Sequence, residues 1–311
     1  MDGIPTLEDL GDVAGKRVLV RTDFNVPLGV ELLDNLRFDP GETGNSAEFT
    51  DRLVEGIDCY VNDAFGASHR AHASIVGPAS RVPSAMGRLL QREVEVLLGV
   101  RNTPQRPFVA VLGGAKISDK LGVVEALLGV VDSLVIGGAM CFTFFAARGQ
   151  SIGDSLFEPD QVDTCGRILA EHGDKIHLPT DMVGVDANGD YAAFGSVIPD
   201  GCKGFDIGPG SAAAFSDVIA DAKTVFWNGP MGMFEDDRFA SGTRTVAQAM
   251  ADTAAFTVVG GGDSAAALAR FGYADQVDHV STGGGASLEL IELGDLPGLA
   301  ALRDAPNAQG A

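Results

Sequence analysis

The sequence predicts an α/β protein, with parallel, helix-covered sheets in two lobes joined by one long helix. Three observations predict it. Short β-branched and aliphatic runs alternate with helical patterns along most of the 311 residues, as expected of repeated strand–helix units. Several of these runs end in glycine pairs or triplets just before a helical pattern begins. Between Pro83 and Val100, PSAMGRLLQREVEVLLGV carries apolar residues at 89, 90, 94, 97 and 98 and no strand signal, so it reads as a single connecting helix before the turn-rich Arg101–Pro107.

The expected strands, in order, are Arg17–Asp23, Leu32–Asn35, Asp58–Asn62, Phe108–Leu112, Ser133–Ile136, Thr224–Trp227, Phe256–Val259 and His279–Ser281. The chain divides near Pro83. That gives a first lobe over 1–83, a connecting helix over 84–101, a larger lobe over 102–285 and a tail over 286–311. One junction is physically awkward. Only about Phe24–Gly29 separates the first two strands, whereas a parallel crossover takes about a dozen residues or more. NVPLGV also lacks the Asn-Gly or Asp-Gly of a tight hairpin, so either Pro27 and Gly29 turn the chain or a segment is missing.

Charge narrows the function. Asp and Glu total 43 against 22 Lys and Arg, a formal net charge of −21, which repels phosphate backbones and anionic headgroups at long range. Nucleic acid and membrane surfaces are therefore not expected partners. The N-terminal MDGIPTLEDL is acidic where a secretory signal would be basic and then apolar, so a cytoplasmic location is expected. The four cysteines, Cys59, Cys141, Cys165 and Cys202, form no C-x-x-C pair and read as inert thiols. His69 and His72 have no second ligand pair to make a metal site.

Four glycine-terminated strands carry most of the chemistry: VAVLGGAKISDKL, LVIGGAMCFTFF, FTVVGGGDSAAALA and HVSTGGGASLELI, all expected in the larger lobe. Glycines at a strand's carboxyl end, here Gly113, Gly114, Gly137, Gly261 and Gly262, let a ligand approach the backbone. The helix start beyond them offers N–H groups and a positive dipole end. Close packing is the alternative at each edge. Lys116 and Lys120, two of only six lysines, stand four apart and would share one helix face, able to grip two phosphates. Asp263 and Ser264 are each candidate helix caps, and Asp263 equally a candidate Mg²⁺ ligand. In the smaller lobe, Arg21, Arg37 and Arg70 have the guanidinium forks that suit a small carboxylate or phosphate, although each could equally be structural. No G-x-x-x-x-G-K-[ST] occurs. Gly260, Gly262 and Ala265 satisfy G-x-G-x-x-[GA], which keeps a nicotinamide-dependent dehydrogenase as an alternative, but no acid ends the following strand.

VLVRTDFNVPL, LDNLRFDPGE, YVNDAFGASHRAHAS, VLGGAKISDK, FDIGPG, WNGPMGMFE, VGGGDSAA and STGGGASLEL follow one another in an order that resembles the phosphoglycerate kinase family. The resemblance implies two Rossmann-like lobes, 3-phosphoglycerate in the first and Mg-ATP or Mg-ADP in the second, closing to exclude water, with the tail returning to the first lobe. It implies acid contacts at Asp23, Asn25, Arg37 and Arg70, to which the strand-end Arg21 is added as a candidate. It also implies nucleotide contacts at Lys120, Gly204, Asn228, Pro230, Glu235, Gly261, Gly262, Asp263 and Ser264, with Asp263 holding Mg²⁺. Lys116, Arg37 and Gly262 would attend the transferred phosphoryl group. Ser264 stands where the family usually has Thr, and Met233 where it usually has Val.

A monomer acting on small molecules follows from the same resemblance. The departure lies at the awkward junction. Family members continue from N-V-P-L through an acidic turn, a substrate-binding arginine, further βα units and a strand ending in H-L-G-R-P, whereas here Leu28 runs directly into GVELLDNLRF. The first lobe is therefore expected to be incomplete, short of roughly two βαβ units of about 30 residues each. A nucleotide-binding protein that has lost turnover is the alternative this departure raises.

Overall fold

The computed structural model describes residues 3–22 and 35–307, which form two compact units. The first comprises residues 1–99 and 282–311, and the second residues 100–281. Both are α/β, and their main sheets are parallel.

In the first unit, β1 (Val18–Arg21), β2 (Cys59–Asn62) and β3 (Ser84–Met86) form a parallel sheet in the order β1-β2-β3. Tyr60, Phe65, Ile75, Met86 and Leu90 make up its buried centre. The expected long helix begins at Arg88 and runs to Asn102, and the Ser84–Met86 stretch ahead of it is a strand instead. A three-residue strand is too short to show a period. It forms because β2 pairs with it on one side, while Asn307 on its other side accepts the Ser84 N–H at 2.8 Å and donates to the Ser84 carbonyl at 3.0 Å. The helix N-terminus is capped from a distance by Asp63, which accepts the N–H groups of Leu89 and Leu90 at 2.8 and 3.1 Å. The expected strand over Leu32–Asn35 falls largely outside the described residues. Asn35 itself accepts the Arg37 N–H and starts the 3-10 turn Leu36–Phe38.

The second unit carries β4 (Phe108–Leu112), β5 (Ser133–Ile136) and β6 (Ile176–His177), then an antiparallel trio, β7 (Asp181–Val185), β8 (Tyr191–Gly195) and β9 (Lys203–Ile207). Next come β10 (Thr224–Asn228), β11 (Phe256–Gly260) and β12 (His279–Val280). The main sheet runs β12-β11-β10-β4-β5-β6, and the trio runs β8-β7-β9. Trp227, Phe108 and Phe226 of the central strands are fully buried, as are Phe142, Phe144 and Phe145 of the helix Cys141–Ala147. All four cysteines are free and buried. Among the described residues no helix is long and apolar enough to cross a membrane.

Cover on the first sheet is uneven. β2 and β3 are buried throughout, but β1 is not, and among the described residues it pairs only with β2. Val20 and Val61 face each other across the β1–β2 register, yet Val20 is 49% exposed and Val61 only 7%. Truncating Val61 to Ala is therefore expected to cost about 2 kcal/mol in urea unfolding, and Val20→Ala less than about 0.5 kcal/mol. Equal costs would show that β1 is covered as fully as β2.

Candidate active site

The main sheet of the second unit winds outward in two directions from its centre, through β5 and β6 on one side of β4 and through β11 and β12 beyond β10. The crevice at such a reversal, outside the carboxyl ends of β4 and β10, is where a sheet of this kind offers a ligand site. Gly113 and Gly114 leave β4 there, Asn228 ends β10, and Gly260 ends β11.

The loop Gly229–Met231 lies directly on the first two glycine edges. Gly114 and Gly138 donate to the carbonyls of Pro230 and Met231, both at 3.0 Å, and Gly113 donates to Asn228 O at 2.9 Å. A Cβ on Gly113 would stand 2.1 Å from Pro230 O, and one on Gly137 2.5 Å from Met231 Sδ. Close packing accounts for the glycine at both positions. Gly114, at φ +111°, is less covered and has the Lys120 side chain beside it.

The third edge is open. Gly261, at φ +91°, caps the helix Gly262–Phe271, and a Cβ there would meet Asn228 Nδ2 at 2.8 Å, whereas around Gly262 there is free space. The N–H groups of Gly262, Asp263 and Ser264 precede the first helical bond, Ala265 N to Gly261 O at 3.1 Å. Neither Asp263 nor Ser264 is the cap. Asp263 is exposed on the first turn, and Ser264 is fully buried, its Oγ accepting the Gly229 N–H at 2.6 Å. The Ser264 hydroxyl therefore serves packing, while its N–H stays at the helix start. The fourth edge belongs to the first unit, where Gly283 packs against the Phe65 ring and Thr282 donates from N and Oγ1 to buried Glu93 at 2.7 and 2.8 Å.

Lys116 and Lys120 do not share a helix face. The helix begins only at Leu121. Lys116 lies exposed in the bend before the 3-10 turn Ser118–Lys120, and Lys120 turns inward to donate to Asn228 Oδ1. Burial lowers the Lys120 ammonium to about pKa 8, despite the opposing charges of Asp119 and Asp263. The Lys116 loop is tethered by Glu158, which accepts from Ser118 N at 3.0 Å and Ser118 Oγ at 2.5 Å.

Around Gly204 the surroundings change character. Gly204 is buried, with Phe142 and Ile198 filling the space of a Cβ, and its N–H donates to Ser155 Oγ at 2.9 Å. The next residue after Ser155, Leu156, is 56% exposed, and Met233, whose N–H donates to Phe205 O, is 42% exposed. One loop thus runs from polar Asn228, past partly covered Pro230, to this apolar rim and on to exposed Glu235. Sequence patterning missed Leu156, whose only signal is an exposed apolar side chain, and Asp206. Asp206 is buried beside Gly232, accepts the N–H groups of Gly242 and Ile207, and is pushed up to about pKa 7 by burial.

In the first unit, Asp23 and Asn25 lie outside the described residues. Arg37 and Arg70 are exposed and Arg21 half-buried, and the fields of all three reach His72. Burial first, then these three guanidinium charges, hold the imidazole below its ordinary pKa, with the Glu42 carboxylate pulling the other way. The three arginines are thus the cations of this region, with the His72 imidazole among them. His69 lies beside Arg70, its Nε2 accepting from Arg70 Nε at 3.2 Å. Among the described residues no three His, Cys, Asp or Glu side chains gather into a metal cluster.

A family model described as phosphoglycerate kinase matches residues 29–293. The phosphoglycerate kinase of Rubrobacter xylanophilus is 53% identical over 278 residues, covering 88% of this chain and 71% of that one. That of Parafrankia sp. is 53% identical over 301 residues, covering 94% and 75%. Among solved structures, phosphoglycerate kinase from Coxiella burnetii superposes with a TM-score of 0.82 at 38% identity, over 92% of this chain and 77% of that chain. The enzyme from Pyrococcus horikoshii superposes with a TM-score of 0.76 at 34% identity, over 86% and 71%. These matches replace the dehydrogenase alternative, and the chain belongs to the phosphoglycerate kinase family.

Proposed function

We propose that this chain carries out the reaction of its family, reversible phosphoryl transfer between ATP and the carboxylate of 3-phosphoglycerate. The observation that carries this reading is the set of groups at the sheet reversal: Lys120 on Asn228, beside the open start of the helix Gly262–Phe271. A polyphosphate lying there would meet one ammonium group, a row of backbone N–H groups and a positive helix end. The apolar rim of Leu156 and Met233 beside Gly204 suits the flat face of a base, and Glu235 further along the same loop suits ribose hydroxyls. Gly113, Gly114 and Gly137 serve as the floor under that loop, with Pro230 and Asn228 lining it.

Asp263 fits a magnesium ion that arrives with the nucleotide. It is a hard oxygen donor, exposed on the first helical turn, and Mg²⁺ is commonly held by one or two carboxylates together with substrate phosphates. When bound, the ion would offset phosphate charge. The acid is assigned to the first unit, with Arg21, Arg37 and Arg70, together with Asp23 and Asn25. Its carboxylate is ionised near neutral pH, so no general base is required. A carboxylate oxygen attacks the terminal phosphorus as the bond to the ADP oxygen breaks, giving an acyl phosphate. Within the second unit, Lys116 and the Gly262 N–H neutralise charge on the group in transit, while Arg37 stays with the acid. Small soluble substrates on both sides of the reaction suit a cytoplasmic monomer.

Nucleotide binding without turnover is the second reading, and the three-stranded first sheet of the described residues, with Val20 on β1 half exposed, favours it. The relatives are longer, since the chain spans 71 to 75% of the two named above, and the family match takes up at Gly29, which supports a gap at the Leu28–Gly29 junction. Calorimetry with Mg-ADP and then 3-phosphoglycerate, beside a coupled assay, separates the two readings. Heat from both ligands with turnover is the expected result. Nucleotide heat alone without turnover would establish the second.

Three further outcomes are expected. Lys116→Ala should lower kcat at least about 100-fold while leaving Mg-ADP affinity within about threefold, and the opposite split would remove Lys116 from the transfer step. Asp263→Asn should weaken nucleotide binding when magnesium is present and leave it nearly unchanged with EDTA. Phosphate favours charged Lys120 and so raises its pKa from about 8, which means that binding takes up a proton. Mg-ADP affinity should therefore fall about tenfold between pH 7 and pH 9, with proton uptake visible by calorimetry in buffers of different ionisation heat. A flat profile would place Lys120 away from the phosphates.

A further inference from the structure

Buried at the base of the cationic cluster is a carboxylate that no step above uses. Glu42, in the short helix Pro40–Thr43 that follows Arg37, is 1% exposed. Its Oε2 accepts the Ser74 N–H at 2.9 Å and its Oε1 accepts the Ser74 hydroxyl at 2.7 Å. The same Ser74 Oγ accepts from Arg21 Nε at 3.2 Å, so a chain of charge-assisted hydrogen bonds runs from the carboxylate through the hydroxyl to the guanidinium. Tyr60, fully buried on β2, donates its hydroxyl to Ser74 O at 2.8 Å and fixes the serine from the other side. The His72 ring stands close by, Nδ1 lying 3.8 Å from Glu42 Oε1.

Four segments meet at the Glu42–Ser74 pair. They carry Arg37, the pair Arg70 and His72, Arg21 on β1, and Tyr60 on β2. An unpaired buried carboxylate is strongly disfavoured, and this one has its charge answered by an N–H, a hydroxyl and the surrounding cations. Arg21 is thereby tied, through Ser74, to an anion that it does not touch directly. We propose that Glu42, acting through Ser74, is a positioning residue for the anion site of the first unit, holding Arg21 and His72 in the geometry that receives the acid substrate. The proposal rests on the reading of that cluster as the acid site.

The test compares Glu42→Gln and Ser74→Ala with the wild-type chain, using calorimetry for 3-phosphoglycerate and for Mg-ADP, thermal unfolding, and NMR titration of His72. In Glu42→Gln, affinity for 3-phosphoglycerate should fall about tenfold while Mg-ADP affinity stays within twofold. The His72 pKa should also drop, because the carboxylate that raises it has gone. Ser74→Ala keeps that charge, so it should weaken the acid comparably and leave the His72 titration in place. An equal loss for both ligands, or an unchanged acid affinity in folded Glu42→Gln, would overturn the proposal. Were Glu42→Gln to unfold, Ser74→Ala alone would decide it by the same acid-to-nucleotide split. If the wild-type chain binds no 3-phosphoglycerate, the reading of the cluster as an acid site fails. The positioning role then stands or falls on His72 and on the Arg21 Nε–H resonance, and retention of both signals in Glu42→Gln would overturn it.

Discussion

The Gly229–Met231 loop packs so closely on the ends of β4 and β5 that Gly113, Gly137 and Gly229 have no room for a side chain of their own, and the site geometry of the second unit follows from that exclusion. With a hypothetical Cβ only 2.1 Å from Pro230 O at Gly113 and 2.3 Å from Gly113 O at Gly229, neither position can hold anything but glycine without backbone movement. The resulting close contact carries Asn228 to the centre of the crevice, where its carbonyl receives the Gly113 N–H and its side chain receives Lys120. Ser264 then fastens Gly229 to the helix Gly262–Phe271 and brings that helix start to the same place. The phosphate end of the proposed site is therefore assembled by backbone packing, and its few cations are added to a scaffold already in position.

This scaffold explains which parts were legible in the sequence. Long apolar strands announce themselves locally, and the expected Phe108–Leu112 and Ser133–Ile136 are β4 and β5 to the residue. The glycine edges were equally plain, but a glycine looks the same whether a ligand or another loop takes its place. Only the fold separates Gly113 and Gly137, which are packed, from Gly262, which is open. Lys116 and Lys120 were misplaced on one face because a spacing of four implies a helix, and GGAKIS bends before its helix begins. β3 and the cap of the Arg88–Asn102 helix were hidden because Asn307 and Asp63 supply them from distant parts of the chain. The β7–β8 turn, by contrast, carries Asn188-Gly189, a hairpin signal, beside strands too mixed in character to stand out.

A net charge of −21 leaves little room for casual anion binding, so the cations that matter must be shielded from the acids around them. Most of the remaining arginines are already spent on surface pairs, such as Arg52 with Asp39, Arg81 with Asp51, Arg106 with Asp132 and Arg167 with Glu125. Pairs of this kind contribute little to stability, but they keep those guanidinium groups from competing for a ligand. At Lys120 the shielding is burial, whose cost shows in its lowered pKa.

The first unit meets the same problem with less apolar cover. Its described sheet has three strands, Val20 on β1 is half exposed and Phe38 is 79% exposed, so burial alone cannot hold the cationic cluster rigid. Buried polar groups do the fixing instead. Asn62 donates to Ser68 Oγ and accepts the Ala64 N–H, Ser68 donates to Ala64 O, and Glu42 and Tyr60 clasp Ser74 from opposite sides. Such networks add little net stability, because each polar group must first lose its water, but once every member is satisfied they permit one arrangement and penalise the rest. A sheet this small can then be marginal in stability and still exact in geometry. Of the guanidinium groups, Arg21 is tied into such a network through Ser74, which Glu42 holds in turn.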